Sequence, residues 1–167
     1  MATKIMTICC VHNDSQILLG EIKKDGPLKG KFNGFGGKVE EGETIEAAAK
    51  RELLEECCIV PLDMQKIGII NFIFDEEGNP FKGKPEVEVH IYGVTEFEGE
   101  PTETNEMLPM WFGREEIPFA KMWPDDKYWL PLVFEGKCFR GKFYLKDTEL
   151  IKHYELEEVA AKELLNN

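Results

Sequence analysis

The chain is short of basic residues. Its 20 Lys and Arg stand against 32 Asp and Glu, a net charge of −12. That balance excludes non-specific attachment to DNA, RNA or an anionic membrane. It still permits a small anionic ligand, provided a metal cation stands between ligand and protein. No run of about 18 apolar residues occurs, so no membrane-spanning helix is expected. Residues 1–11 carry one lysine and no long apolar run with a small-residue cleavage site, and they read as a first strand, not a signal peptide. The five cysteines (Cys9, Cys10, Cys57, Cys58 and Cys138) are odd in number, include two adjacent pairs and offer no C-x-x-C spacing. This excludes an ordinary disulfide framework and a zinc site, and reduced thiols in a cytosolic compartment are expected. Repeats and low-complexity tracts are absent.

What is present suits one soluble domain. The length is 167 residues, enough to bury roughly 70% of the surface the unfolded chain exposes. Residues 4–11 and 16–22 are β-rich and flank a turn cluster at 12–15, which predicts a hairpin. Residues 25–37 hold five glycines and a proline, a loop that must turn sharply or approach something closely. Strong helix formers over 44–57, with Thr44 as N-cap, predict a helix that Pro61 closes off. Residues 66–74, 86–95, 109–112, 138–145 and 148–156 read as strands. A second helix is predicted from Pro124, with Pro131 kinking or shortening it, and a terminal helix over 157–165. The class is α+β, with strands outnumbering helices.

Glu52, Glu55 and Glu56 stand at i, i+3 and i+4 and share a helix face with Ile45, Ala48 and Ala49. A face that begins apolar and turns into three carboxylates is unusual. It suits a charged helix end offset by Lys50 and Arg51, or a site where a hard divalent cation relieves the repulsion. Oxygen-only ligands point to Mg²⁺ or Mn²⁺ and away from zinc. Read alone, Trp123 is either a core aromatic or a stacking platform, Asp125 and Asp126 are acids at a helix start, and Asn33 is a turn residue.

The spacing Gly37, five residues, Glu43, seven residues, then Arg51-Glu52-Leu53-Leu54-Glu55-Glu56-Cys57-Cys58-Ile59 resembles the Nudix box, a long and specific pattern. The resemblance implies the Nudix fold, an α/β/α sandwich around a mixed sheet, spanning residues 1–159 with a helical or frayed tail at 160–167. It implies hydrolysis of a nucleoside diphosphate linked to another group. It also implies Glu52, Glu55, Glu56 and the Gly36 carbonyl as metal ligands, with Arg51 orienting the glutamates and Glu43 pairing within the box. Residues 31–39, Glu106-Met107 and Met122-Trp123-Pro124-Asp125-Asp126 are similar to the branch of that family that hydrolyses oxidised purine nucleoside triphosphates. By that likeness Thr7, Lys23, Asn33, Phe35, Gly36, Gly37, Lys38, Phe72, Phe74, Trp123, Pro124, Asp125 and Asp126 form the nucleotide pocket, and Glu106 joins the metal cluster. Glu56 or Glu106 takes the proton from water.

The expected substrate is thus 8-oxo-dGTP or 2-hydroxy-dATP, with Mg²⁺, no nucleic acid polymer and no membrane as partners. The expected enzyme is a monomer of the cytosol, or of the mitochondrial or nuclear nucleotide pool. Other Nudix substrates are alkylated purine triphosphates, dinucleoside polyphosphates and ADP-ribose; a non-enzymatic binding module would be expected to lack a box glutamate. Four positions depart from the family pattern. Cys58 stands for a glycine, Phe32 for a tryptophan, and Pro27-Leu28 where an aromatic is usual. The connection between Phe74 and Glu86 is several residues longer.

Overall fold

A computed structural model describes residues 3–81 and 85–165. The first two residues of the expected domain, residues 82–84 of the long connection and the last two of the tail lie outside the described residues. The strands are β1 (Lys4–His12), β2 (Gln16–Ile22), β3 (Phe32–Asn33), β4 (Val60–Phe74), β5 (Glu86–Glu98), β6 (Met107–Gly113), β7 (Cys138–Leu145) and β8 (Ile151–Val159). The helices are α1 (Ile45–Cys57) and α2 (Asp126–Phe134). One sheet runs β3-β2-β1-β5-β4-β7-β8, with β6 on the other edge of β2. It is mixed: β1–β5 and β4–β7 are parallel and the remaining pairs antiparallel.

Alternation along the strands sends successive side chains to opposite faces, and each face has its own helix. Cys9, Val11, Leu18, Tyr92 and Val94 pack with Ala49, Leu53 and Cys57 of α1. Cys10, Ile17, Leu19, Ile70 and Ile91 pack with Trp129, Leu130 and Val133 of α2. This is the expected α/β/α sandwich. The adjacent cysteines of β1 thus belong to different cores.

β1 and β2 pair only near their hairpin, at Val11↔Leu18 and His12↔Ile17. Beyond that they part, and residues 32–39 enter the wedge. β3 pairs with Gly20 and Glu21, while Phe35 and Lys38 bridge to Cys9 and Met6 of β1. The cleft that holds the site opens where the two strands diverge.

α1 begins as expected, Thr44 Oγ1 accepting from the Ala47 N–H at 3.0 Å. It ends at Cys58, not at Pro61, which lies in β4. Cys58 adopts the left-handed conformation (φ 64°, ψ 27°), and its N–H donates to the Leu54 carbonyl at 3.0 Å. A side chain there costs about 1–2 kcal/mol against glycine, partly offset by glycine's freedom in the unfolded chain. Cys58→Gly is therefore expected to stabilise the protein by about 0.5–1 kcal/mol, raising Tm by about 1–4 °C in calorimetry; an unchanged or lower Tm would show that the turn carries no strain.

One expectation is corrected. Residues 157–165 do not form a helix: β8 continues to Val159, pairing with Cys138, because the ladder to β7 overrides the helical propensity of this segment. The tail, expected to be helical or frayed, carries a short helical turn over its described residues. A 3-10 turn over Ala161–Leu164 buries Leu164 completely, and its Glu163 carbonyl accepts from Arg140 Nη2 at 3.0 Å. Pro131 lies inside α2 on its exposed side without ending it; the helix runs to Phe134.

Candidate active site

The loop 34–37 lies against both β1 and α1, and glycine makes that possible. A Cβ on Gly36 would sit 1.8 Å from the Thr7 carbonyl oxygen, and one on Gly37 would sit 2.6 Å from Glu52 Oε1. The Thr7 N–H donates to the Gly37 carbonyl at 2.9 Å, and the Gly36 N–H donates to Glu56 Oε1 at 2.8 Å. The glycine pair thus couples strand, loop and the acidic end of α1.

Arg51 holds that end together. Its Nε and Nη2 donate to the two carboxylate oxygens of Glu43 at 3.0 and 2.6 Å, and Nη2 also donates to the Lys38 carbonyl at 3.0 Å. Nη1 donates to Glu52 at 2.9 Å and Glu55 at 3.3 Å. Hydrogen bonding to Arg51 holds Glu43 down at about 2, and Arg51 itself stays charged throughout.

Carboxylate oxygens of Glu52, Glu56 and Glu106 lie within 4.8 Å of one another. Glu55 does not join them. At about 100° per residue it points about 100° away from Glu56, and it is exposed and bound to Arg51. Glu106, from β6's approach, takes the third place. Burial pushes Glu56 up to about 8, with the Glu52 and Glu106 charges adding to the rise and the Gly36 N–H opposing it. Burial likewise raises Glu52. Three converging carboxylates, one of them buried, are costly unless a cation or a proton offsets them. The donor set is all oxygen, so it fits a hard divalent cation.

The same cavity, of about 330 Å³, continues from these acids to an aromatic and carboxylate end. Thr7, Asn33, Gly36, Gly37, Phe72, Phe74, Trp123, Asp125 and Asp126 line it, as expected. Asp125 and Asp126 are 1% and 3% exposed. Asp125 Oδ2 accepts from Trp129 Nε1 at 2.7 Å, so its side chain turns inward and does not cap α2. Asp125 Oδ1 and Asp126 Oδ2 are buried and accept from no N–H donor among the described residues, and the two carboxyls hydrogen-bond each other once one of them carries a proton. Burial raises Asp125 to about 6, and raises Asp126 well above the carboxylate range with help from the Asp125 charge. Buried polar atoms are normally satisfied; a carboxyl pair that shares one proton at a cavity wall is suited to a ligand edge carrying both donors and acceptors.

Four residues expected in the pocket do not line this cavity. Phe35 is wholly buried in the α1 core. Lys23 Nζ is taken up by Glu103 at 2.7 Å and the Thr104 carbonyl at 2.8 Å; its neighbour Lys24 lines the cavity instead. Lys38 contributes its carbonyl to Arg51, and neither it nor Pro124 is among the lining residues. Leu28 and Met107, at positions the family likeness marked without assigning them to the pocket, line it too, and sequence reasoning missed Phe81 and Trp129. Of these two, Trp129 carried a local signal, standing four residues after Asp125 on a helix.

The NUDIX domain family matches residues 3–133. The chain is 46% identical to the oxidized purine nucleoside triphosphate hydrolase of Mus musculus over 94% of its length and 96% of that protein's. It is 44% identical to the protein of the same name from Danio rerio, with the same coverage of each. It superposes on the crystal structure of the MutT protein of Bacillus halodurans with a TM-score of 0.77 at 28% identity, covering 92% of this chain and 97% of that one. With the family matching most of its length and relatives at 46% and 44% identity over nearly all of it, this chain belongs to the Nudix family of hydrolases.

Proposed function

We propose that this protein hydrolyses oxidised purine nucleoside triphosphates, such as 8-oxo-dGTP and 2-hydroxy-dATP, to the monophosphate and pyrophosphate. One observation carries the reading. A single cavity is lined both by three converging carboxylates and by two adjacent buried aspartates. The first set suits a polyphosphate with its cation, and the second suits the polar edge of a base. The names of the mouse and zebrafish relatives support the same substrate class.

Glu52, Glu56 and Glu106 would hold Mg²⁺, with Mn²⁺ as a substitute. The cation, when bound, supplies charge neutralisation for the phosphate oxygens and makes water a stronger acid. The chain's own residues do the rest. Arg51 fixes the glutamates in register, and Lys24 offers a positive charge to the phosphates. Glu106 or Glu56, whichever is less engaged, accepts the proton from the attacking water. Trp123, Phe72 and Phe74 hold the base by its faces, and Asn33, Asp125 and Asp126 read its edges.

Product analysis tests this. Incubation of 8-oxo-dGTP with the protein and Mg²⁺ should release 8-oxo-dGMP and pyrophosphate in equal amounts, resolved by anion-exchange chromatography, and excess chelator should abolish both. Release of inorganic phosphate and a diphosphate, or turnover that survives chelation, would contradict the reading.

A further inference from the structure

The long connection between β4 and β5 brings one more ring into the cavity. Phe81 lines it. Its ring lies within 9° of parallel to Trp123, with centroids 6.3 Å apart. Phe74 stands edge-on to both, 5.8 Å from Phe81 and 6.0 Å from Trp123, at 62° and 68°. Lys4 Nζ lies 4.7 Å from the Phe81 centroid.

This placement is built. The Phe81 N–H donates to Asn79 Oδ1 at 2.7 Å, and the Gly78 N–H donates to the Asp75 carbonyl at 3.2 Å. Asp75 is tied to the neighbouring hairpin twice: its N–H donates to the Leu145 carbonyl at 3.0 Å, and its carboxylate accepts from Lys152 Nζ at 2.9 Å. Gly78 sits so close to that hairpin that a Cβ would lie 1.9 Å from the Lys146 carbonyl oxygen. Residues 75–81 are thus tied to that hairpin at Asp75 and pressed against it at Gly78.

The geometry points to Phe81 as a specificity-determining residue of this pocket: its ring supplies a second aromatic face, parallel to Trp123, against which a planar purine base is held. The inference rests on the nucleotide reading above. Hydrogen bonds from Asp125 and Asp126 discriminate between base edges only when the plane of the base is fixed. One ring leaves that plane free to tilt; two parallel rings and the edge of Phe74 do not. Stacking is tolerant of base identity, so Phe81 acts on every purine alike. A two-ring base covers more of both faces than a one-ring base, so Phe81 favours purines over pyrimidines.

The test is equilibrium titration of 8-oxo-dGMP and dCMP into the wild type and into Phe81→Ala, Phe81→Leu and Phe81→Trp, with each Tm recorded. Phe81→Ala should weaken 8-oxo-dGMP by roughly 5- to 150-fold, the span for one stacked base, and should weaken dCMP less. Phe81→Leu keeps apolar bulk without a ring face, so it should lose affinity as the alanine variant does, while Phe81→Trp should retain it. In turnover the loss should appear in KM, not in kcat. Leucine and alanine variants that bind 8-oxo-dGMP within twofold of the wild type would overturn the role of Phe81 alone. A leucine variant that binds as well as the tryptophan variant would do so too, assigning the residue to packing. A wild-type protein that binds no purine nucleotide would overturn the nucleotide reading and this inference with it.

Discussion

Glu56→Gln is expected to lower kcat by a factor on the order of 10²–10⁴ while leaving the fold intact, the span for losing a positioned acid or base group. The amide oxygen can still accept the Gly36 N–H that Glu56 Oε1 accepts now at 2.8 Å, so the loop stays seated. What disappears is the charge shared with Glu52 and Glu106. The same substitution should change stability in the opposite sense. Burial raises Glu56 to about 8 from its ordinary value of 4.5. Its protonated form is the one the fold favours. The contribution is fully present below about 4.5 and is lost as pH rises through about 8, on the order of a few kcal/mol. In chelator, the wild type should therefore lose thermal stability between pH 5 and pH 8 more steeply than Glu56→Gln, and added Mg²⁺ should restore it at pH 8. A variant with turnover within about threefold of the wild type would remove Glu56 from the mechanism; parallel Tm profiles would show that its burial is not costly.

Asp126→Asn is expected to change which oxidised purine is preferred. Two adjacent buried carboxylates cannot both stay ionised, and both are raised, Asp126 the further. One donates a hydrogen bond while the other accepts. Asp125 keeps one oxygen on Trp129 Nε1, and the proton the two carboxyls share between them can be redirected to the base. The edges of 8-oxoguanine and 2-hydroxyadenine present different donor and acceptor patterns, and a pair that exchanges its proton can match both. An asparagine has a fixed pattern, so one substrate meets an unpaired buried group at a cost of about 1–3 kcal/mol, or roughly 5- to 150-fold. The ratio of kcat/KM for 8-oxo-dGTP and 2-hydroxy-dATP should shift by that factor in Asp126→Asn, with metal dependence unchanged. Asp125→Asn should shift it as well. Trp123→Ala, which removes stacking only, should weaken both substrates together. Equal losses for both substrates in both aspartate variants would make the carboxylates structural and end the proton-exchange account.

The parts of this protein that sequence reasoning reached are those set by local spacing. α1, its Thr44 cap and the shared face of Glu52 and Glu56 lie within one stretch of chain, where helical periodicity relates neighbours directly, while the Arg51–Glu43 pair followed from the resemblance to the Nudix box. What escaped it depends on partners far away in sequence. Lys23 and Lys24 are alike in type and adjacent, and only Glu103 and Thr104, about 80 positions on, decide which of them is occupied. Glu55 fits the box as well as Glu56 does, yet convergence with Glu106 from another element selects Glu56. The end of β8 reads as helix until its ladder with β7 is known. Phe81 lies in the segment where the family pattern gives no guidance, and its role follows only from the rings it meets in space.

The central claim is that the buried aspartates and the acid cluster work on one oxidised purine triphosphate in one cavity. The most direct test is kcat/KM for 8-oxo-dGTP against dGTP, measured by pyrophosphate release for the wild type at the same Mg²⁺ concentration. A pocket that reads the oxidised edge through buried carboxylates should prefer 8-oxo-dGTP by roughly 5- to 150-fold, since leaving one such group unpaired costs about 1–3 kcal/mol. Equal rates on the two nucleotides, or turnover of neither, would contradict it.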